Sequence, residues 1–366
     1  MRVLLVARVY WPNIGGIERH VQWLGEALVA RGHSVRVVTL DRAFEDGRGL
    51  PAEELHNGIA IRRIPFAGST RYPLAPTVLR ELHDADVVHV HAVDFLADWL
   101  VATRPFHGRP VVLSTHGGFF HTGFATGAKQ VWFNTMTRLL VRGVDALVYT
   151  SDQDEELFRK LTDRGEVIRN AVDLAPWQAL RRAPTAGEFL TLGRVDVHKG
   201  LSSLLRTLAA LRDLDPRPFR ARIVGPDVVP GLVAQLCAER DALGLRERVV
   251  FEGKVSEAAM FEAVRTADLG LWPAEYESFG ISVVETMAAG LVPVLNDNRA
   301  FRYFVEGKSG VLTSFADPSR AAADIARARD FTDRGAWETA AATKAGQYGW
   351  DGVIGEIEGV YRRVCG

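Results

Sequence analysis

The sequence predicts an α/β protein with two doubly wound domains of similar size. Three observations favour this class. The chain has 366 residues, which is too long for one ordinary core. Short apolar runs alternate with amphipathic stretches, as in parallel strands that are joined by helices. The alternation breaks once, around 167–187, and then starts again, so a domain boundary is expected there.

The first half of the chain contains five predicted buried strands. The run 3–9 is short and rich in β-branched residues, which favours a strand over a helix. Apolar residues at helical spacing follow in 17–28, and Ser151 is a suitable N-cap for a later helix. The other strands are expected at 35–40, 86–90, 111–114 and 146–149.

The second half repeats this pattern after a linker that is expected at 173–186. Its strands are predicted at 189–192, 222–224, 249–251, 269–272 and 292–295. The two domains would therefore cover 1–172 and 187–343. The last segment, 344–366, has apolar and aromatic residues at helical spacing and is expected to form one helix.

Composition and charge exclude several classes of protein. Hydrophobic residues make up 47% and charged residues 24% of the chain, which is typical of a folded globular protein. The 44 basic and 45 acidic residues nearly cancel, which disfavours a protein that coats nucleic acid. Two cysteines, Cys237 and Cys365, cannot form a disulfide framework and fit a reducing compartment. No secretory signal or membrane span is visible, so we expect a cytoplasmic protein, or one that works peripherally on the inner face of the cell membrane.

Open α/β sheets bind ligands at the carboxyl ends of their strands, and we expect the site in the cleft between the two domains. Gly15 and Gly16 stand between the first strand and its helix, where paired glycines let backbone amides approach an anion. Tight strand–helix turns favour glycine in any case, so this pair alone leaves both interpretations open. The chain contains neither a Gly-x-Gly-x-x-Gly fingerprint nor a Walker-type phosphate loop.

Two charged pairs in the second half are candidates for binding a ligand. Arg194 and Lys199 lie on one predicted strand–helix loop, from which they can converge on a pyrophosphate. Glu277 and Glu285 flank the start of a helix expected at 280–289, whose first amides form an anion site. Two carboxylates could also be the acid and nucleophile of a glycosidase, but beside an anion site they are better explained as acceptors of bonds from sugar hydroxyls. Solvated surface residues are the alternative for both pairs.

Histidines form a further candidate group. His116 follows the fourth strand and could bond a ligand hydroxyl, although a structural histidine with satisfied hydrogen bonds is an equal alternative. His89 and His91 share one face of their strand. They are disfavoured as metal ligands because no third ligand is expected nearby, and we therefore predict no metal site and no cofactor.

Together these residues resemble retaining glycosyltransferases of family 4, which have the GT-B fold. The likeness covers nearly the whole chain. It implies Rossmann-like domains for acceptor binding in 1–172 and nucleotide-sugar binding in 187–343, with the final helix packed on the first domain. The motifs that carry the resemblance are Gly15-Gly16 with Glu18, Thr115-His116, Asn170 to Asp173, Gly193-Arg194 with Lys199-Gly200, and the E-x7-E pattern from Glu277 to Glu285 within Glu-Ser-Phe-Gly.

The resemblance also assigns roles to individual residues. Arg194 and Lys199 would bind the donor diphosphate, Glu277 the hexose hydroxyls and Glu285 the ribose. His116 would bond the 6-hydroxyl of the transferred sugar, and with Arg194, Lys199 and Glu277 it makes up the expected catalytic group. The remaining donor-binding candidates are Gly16, Gly193, Gly225, Ser278, Phe279, Gly280 and Ile281.

In the implied mechanism, negative charge grows on the β-phosphate as the bond between sugar and nucleotide diphosphate loosens. Arg194, Lys199 and the helix start at Gly280 would stabilise that charge in place of a divalent metal. No side chain stands out as a covalent nucleophile, which agrees with front-face attack, retention of configuration and proton transfer to the departing phosphate. One departure from the family pattern is Gly225-Pro226-Asp227, where many relatives have a second glycine, and it leaves the donor contact there open.

The overall likeness of the chain, especially in the segment 116–122, is to bacterial exopolysaccharide α-mannosyltransferases of the xanthan and acetan type. This likeness implies transfer of mannose from GDP-mannose to a polyprenyl-diphosphate-linked oligosaccharide. A UDP-sugar donor and a soluble or different lipid acceptor are alternatives within the family. A nucleotide-sugar epimerase or a non-catalytic binding protein would be the alternatives of another class, but the context of the E-x7-E motif and the complete set of charged candidates argue against both.

A lipid-linked acceptor has independent support in the sequence. The segment 101–144 contains five Lys or Arg, six aromatic residues and no Asp or Glu. Such a surface would suit an anionic membrane. A core helix in the same segment, with Met136 and Leu139 buried, explains the pattern equally well. The candidates for acceptor or membrane contact are Phe119, Phe120, His121 and Lys129.

Overall fold

Two mainly parallel sheets organise the chain in this computed structural model, one in each of two units. The first unit comprises Met1–Ala171 and Trp350–Gly366, and the second comprises Val172–Gly349. The predicted α/β class is confirmed, including the return of the last helix to the N-terminal region. The structure describes residues 1–13, 15–44, 46–70, 72–116, 133–277 and 279–366.

The sheet of the first unit winds in two directions from its centre. The strands of this unit are β1 (Arg2–Ala7), β2 (Ser34–Leu40), β3 (Glu53–His56), β4 (Ile59–Ile64), β5 (Ala67–Ser69), β6 (Tyr72–Leu74), β7 (Val87–His91), β8 (Val111–Ser114), β9 (Ala146–Tyr149) and β10 (Glu166–Val167). Eight of them pair in the order β10-β9-β8-β7-β1-β2-β4-β3, while β5 pairs with β6. The direction of winding reverses between β1 and β7, which lie side by side and parallel.

The sheet of the second unit has the same design. Its strands are β11 (Glu188–Leu192), β12 (Arg220–Val224), β13 (Val249–Gly253), β14 (Leu269–Trp272), β15 (Val292–Asn296) and β16 (Val311–Thr313). They pair in the order β13-β12-β11-β14-β15-β16, and all the pairs are parallel. Here the winding reverses between β11 and β14.

Helices connect the strands of both units. In the described part of the chain they are α1 (Gly16–Ala30), α2 (Phe95–Ala102), α3 (Arg104–His107), α4 (Arg138–Gly143), α5 (Asp152–Phe158), α6 (Ala175–Gln178), α7 (Leu201–Leu214), α8 (Leu232–Ala242), α9 (Glu257–Thr266), α10 (Ile281–Ala288), α11 (Arg299–Arg302), α12 (Pro318–Arg329), α13 (Arg334–Gly346) and α14 (Trp350–Cys365). Short 3-10 helices lie at Pro76–Glu81 and Val197–Lys199, and a π-helical turn lies at Phe133–Thr137. The 173–186 segment, assigned above to a linker, belongs to the second unit, where Trp177 is buried.

The prediction of one helix over 344–366 is wrong, because the chain breaks between α13 and α14. Tyr348 lies in the break, and its ring packs 5.6 Å from Phe279 and 5.3 Å from Phe304. The carbonyl of Tyr348 accepts a hydrogen bond of 2.9 Å from the backbone N–H of Val172. After the break, α14 buries Val353, Ile357 and Tyr361 in a hydrophobic core that also includes residues of α1 and of the first sheet.

A buried ion pair follows the end of α7 in the second unit. The carboxylate of Asp215 accepts hydrogen bonds of 2.9 Å from Arg217 and 2.7 Å from Arg329. The bond from the Arg217 side chain is the main reason that the pKa of Asp215 is lowered to about 2. Because the folded pKa lies below the unfolded one, this contribution to stability is complete above pH 4 and is lost as the pH falls towards 2.

We therefore expect Asp215→Asn to lower the free energy of unfolding at pH 7 by on the order of 2 kcal/mol. Urea denaturation at pH 7 and at pH 3 would measure this difference, which should shrink at the lower pH. Asp213→Asn is the matched control, because Asp213 is 68% exposed and bonds only to its neighbour Arg212 among the described residues. It should leave the free energy of unfolding nearly unchanged, because an exposed ion pair contributes little. Equal losses in the two variants would contradict the role given to Asp215.

Candidate functional site

The candidate residues of the second unit lie on the loops that follow β11 and β14. Strand β11 leads into Gly193, Arg194 and the turn Val197–Lys199, and β14 leads into the loop 273–280. Because the winding reverses between these neighbouring strands, the connections that follow them leave towards opposite faces of the sheet, and a ligand site is expected at the carboxyl edge there. The sequence placed these residues on strand–helix loops, and the fold brings the two loops together.

Lys199 and Glu277 form an ion pair between the two loops. Lys199 Nζ lies 2.5 Å from Glu277 Oε2, and the two side chains are 25% and 15% exposed. The loops meet at backbone distance, since a Cβ at Gly200 would lie 2.3 Å from the carbonyl oxygen of Pro273. Gly200 has a φ of +65°, so both its conformation and its surroundings require glycine. Arg194, on the same loop as Lys199, is exposed.

The start of α10 lies next to these two loops. Phe279 is buried, and Gly280 has a φ of +99° with the ring of Phe301 3.0 Å from where its Cβ would be. Ser282 Oγ donates a hydrogen bond of 2.9 Å to the carbonyl of Leu192, which ties the first turn of α10 to the end of β11. Glu285 lies one turn further along the helix and is buried. Ser278 lies outside the described residues.

The departure from the family pattern at Gly225-Pro226-Asp227 has a clear structural role. A Cβ at Gly225 would lie 1.9 Å from the carbonyl oxygen of Gly193, and the φ of Gly225 is +151°. The backbone N–H of Val195 donates a bond of 2.9 Å to the carbonyl of Pro226. Proline is acceptable at this position because its carbonyl, and not the N–H that it lacks, makes the contact. Gly225 therefore supports the loop that carries Arg194.

Three histidines converge in the first unit, where its sheet reverses direction. His20 lies on α1, His91 ends β7 and His116 follows β8, and one ring nitrogen from each lies within 4.8 Å of the others. His91 Nδ1 is 3.0 Å from His116 Nε2. The expectation that no third side chain would lie near His91 is wrong, because β7 is paired with both β1 and β8 and so ends beside the elements that carry the other two.

Burial keeps these imidazoles neutral. It lowers the pKa of His20 to about 4, and it lowers the pKa of His91 and of His116 well below the usual value. His89, on the same strand, uses both ring nitrogens in hydrogen bonds, at 2.6 Å to Tyr361 and at 2.8 Å to Ser114. His89 is therefore a structural residue.

His116 is held in an unusual backbone conformation. Its φ is +47°, which a residue with a side chain adopts only when its surroundings enforce it. The preceding residue, Thr115, is fully buried and donates a hydrogen bond of 2.7 Å to Asp154 Oδ2. Asp154 lies in the first turn of α5, and nothing in the local sequence pattern indicates its bond to Thr115.

Gly16 begins α1 after the extended residue Gly15, as the sequence predicted. The acceptor or membrane candidates Phe119, Phe120, His121 and Lys129 lie outside the described residues. Among the residues that the structure does describe, no helix is both long and apolar enough to cross a membrane.

Comparison with known proteins identifies the family. Residues 14–176 match the model of Glycosyltransferase Family 4, and residues 178–334 match that of Glycosyl transferases group 1. A GDP-mannose:cellobiosyl-diphosphopolyprenol alpha-mannosyltransferase from Xanthomonas oryzae pv. oryzae is 38% identical over the whole of this chain and 98% of its own length. The chain belongs to glycosyltransferase family 4. The resemblance inferred from the E-x7-E motif and its companions is confirmed.

Two further comparisons extend this assignment. The protein with the same name from Komagataeibacter xylinus is 34% identical over the whole of this chain and 94% of its own length. The crystal structure of Anabaena HepE in complex with UDP superposes with a TM-score of 0.78, at 18% identity, over 99% of this chain and 100% of that one. The structural match confirms the GT-B fold.

Proposed function

We propose that this family 4 chain is a retaining α-mannosyltransferase that transfers mannose from GDP-mannose to a polyprenyl-diphosphate-linked cellobiose. One observation carries the proposal. Three relatives that are 34%, 37% and 38% identical over the full length of the chain have this specificity in their names. Their similarity extends over both units, so it includes the half expected to bind the donor and the half expected to bind the acceptor.

On the donor side, the proposed work of the second unit is to stabilise the departing nucleotide diphosphate. Lys199 and Arg194 supply two cations on one loop, and the start of α10 adds the positive end of a helix dipole. Glu277, in contact with Lys199 Nζ, keeps that ammonium group in place and offers its other oxygen to a sugar hydroxyl. These fixed charges take the role for which other transferases use a divalent metal, so the reaction is proposed to need none. Glu285 is assigned to the ribose.

The first unit is proposed to bind the acceptor and to contribute two donor contacts. A neutral His116 can accept a hydrogen bond from the 6-hydroxyl of mannose or donate one to it. In either case it places no charge beside the developing oxocarbenium ion. Gly16, at the start of α1, offers a backbone amide to phosphate. The acceptor hydroxyl attacks the face from which the diphosphate departs, and its proton passes to that phosphate. Configuration at the anomeric carbon is thereby retained.

The site of action is proposed to be the inner membrane surface, where a lipid-linked acceptor is held. Phe106 on α3 is 89% exposed, and Leu139 on α4 is 66% exposed. Met136, in the turn before α4, is also exposed, so neither Met136 nor Leu139 forms a core as the alternative expectation required. Exposed apolar side chains among the arginines of 101–144 are suited to an anionic lipid surface.

Replacement of Lys199 tests the proposed chemistry. Lys199→Ala should lower kcat for mannosyl transfer by a factor of about 10² to 10³, because a preorganised cation at the leaving group is lost. Lys254→Ala, at an exposed lysine of the same unit, is the matched control and should keep wild-type turnover. Circular dichroism and Tm would show that both variants fold. A well-folded Lys199→Ala enzyme with the parent kcat would refute the role.

The identity of the donor can be tested by thermal shift with GDP, UDP, ADP and dTDP, each with and without EDTA. GDP alone should raise Tm, and EDTA should make no difference, because the charges that hold the diphosphate belong to the protein. A ligand at 100 times its Kd adds about 2.7 kcal/mol to stability, which is easily detected. If UDP raised Tm instead, the assignment as a transferase would stand, but mannose would no longer be the favoured sugar. In a separate activity assay, release of free sugar without transfer would favour a hydrolase or epimerase.

Membrane contact can be tested by flotation with vesicles of phosphatidylcholine, with or without phosphatidylglycerol. The parent chain should float with the anionic vesicles and be released by salt, while Phe106→Ser with Leu139→Ser should bind several-fold more weakly. Leu55→Ser is the matched control, since Leu55 is 74% exposed on the edge strand β3. Absence of salt-sensitive flotation by the parent would remove the membrane surface from the proposal.

A further inference from the structure

The three histidines at the reversal point of the first sheet have more ring nitrogens than a hydrogen bond to one sugar hydroxyl requires. His20 Nδ1 and His91 Nε2 are buried and have no hydrogen-bond partner among the described residues. Buried polar atoms are normally paired, so two unpaired nitrogens in one cluster need an explanation. His89 is the internal comparison, because it is as deeply buried on the same strand and both its nitrogens are bonded.

We propose that His20, His91 and His116 form a binding site for one divalent transition-metal cation, of which Zn²⁺ is the best match. Each residue offers one ring nitrogen, and these atoms lie within 4.8 Å of one another. Two nitrogens bound to one Zn²⁺ at tetrahedral geometry are about 3.4 Å apart, from bond lengths of about 2.1 Å. His91 can bind the ion through only one of its nitrogens: Nδ1 lies 3.0 Å from His116 Nε2, and Nε2 is the unpaired atom. Side-chain movements of about 1.4 Å in total would bring two nitrogens at the widest separation, 4.8 Å, to the tetrahedral spacing.

The chemistry of the three ligands determines which cations fit. Imidazole suits zinc, copper, nickel and cobalt, whereas magnesium, calcium and manganese prefer oxygen ligands, and the cluster contains no carboxylate. A metal ion is coordinated by the neutral form of an imidazole. The ring of Trp350 lies 5.4 Å from that of His20 and contributes an apolar wall. Three protein ligands leave a fourth position for an oxygen from water or from a ligand hydroxyl.

The consequence for activity rests on the proposed function, in which His116 bonds the sugar. A cation bound to His116 would use the side chain that is proposed to bond the sugar hydroxyl. Zn²⁺ should therefore compete with the sugar and slow transfer, while Mg²⁺ should not. The site is therefore inhibitory towards transfer and distinct from the charges on Arg194 and Lys199 that serve the diphosphate. Metal binding itself requires no substrate and can be measured without any assay of transfer.

The experiment is a titration of the full chain with Zn²⁺ in competition with a chromophoric chelator, and with Co²⁺ monitored by its visible absorption. We expect one equivalent to bind, with the intense Co²⁺ bands of a four-coordinate site. His20→Gln and His91→Asn should each weaken binding by a factor of ten or more. His83→Ala is the matched control, because its side chain is 71% exposed and is not a member of the cluster, and it should change nothing.

Several outcomes would overturn the proposal. One is that the folded parent binds no Zn²⁺, and another is that both His20→Gln and His91→Asn bind it as tightly as the parent does. A loss of Zn²⁺ affinity in His83→Ala equal to that in the cluster variants would also contradict the proposal. Two cluster variants are used so that one that fails to fold, as judged by circular dichroism, does not decide the result. Lys199→Ala should still bind one Zn²⁺ while losing transfer, so failure of the metal site and failure of the proposed function give different patterns.

Discussion

The reversal of winding between two neighbouring parallel strands is the constraint on which the candidate sites of both units depend. Strands β1 and β7, and strands β11 and β14, pair directly while their connections leave in opposite directions. At such a point polar loops can end at the carboxyl edge of the sheet with their backbone groups accessible to a ligand. The described candidates are placed accordingly. Most of them come directly after a strand at a reversal point or after one of the neighbouring strands β8 and β12. The others lie on a helix that begins at a reversal point.

Close approach of backbone to backbone then sets the positions of the charged side chains in the second unit. Gly200 lies against Pro273, and Gly225 lies against Gly193, at distances that leave no room for a Cβ. A side chain at either position would push the loops apart, and a displacement of 1 Å at a reacting group is enough to reduce a rate greatly. These glycines therefore act by fixing the spacing between Lys199 and Glu277.

The two units offer opposite electrostatic environments. In the second, Lys199 and Glu277 form a partly exposed ion pair, which suits the binding of a nucleotide diphosphate. In the first, His20, His91 and His116 are neutral, because burial makes the charged form of each imidazole costly. Neutral nitrogen atoms suit a hydroxyl group or a transition-metal cation, and the strained backbone at His116 shows that this arrangement is maintained at a cost.

Much of this was determined by the sequence alone. Buried parallel strands give continuous apolar runs, so β8, β9 and β14 were predicted to the residue. The E-x7-E motif and its companions identified the family because residue type and spacing along one loop and helix are local properties. The exposed strands β3 and β5 carry no such run and were not predicted.

The tertiary structure alone decided which distant residues meet. Tyr348 interrupts a helical pattern because aromatic rings elsewhere in the second unit hold it, and no local feature of 344–366 announces that contact. His20 and His116 approach His91 because β7 lies between β1 and β8. Strand order is set by the packing of the whole sheet, so the fold decided the distances between the residues of each site, and it added His20, which no sequence pattern had singled out.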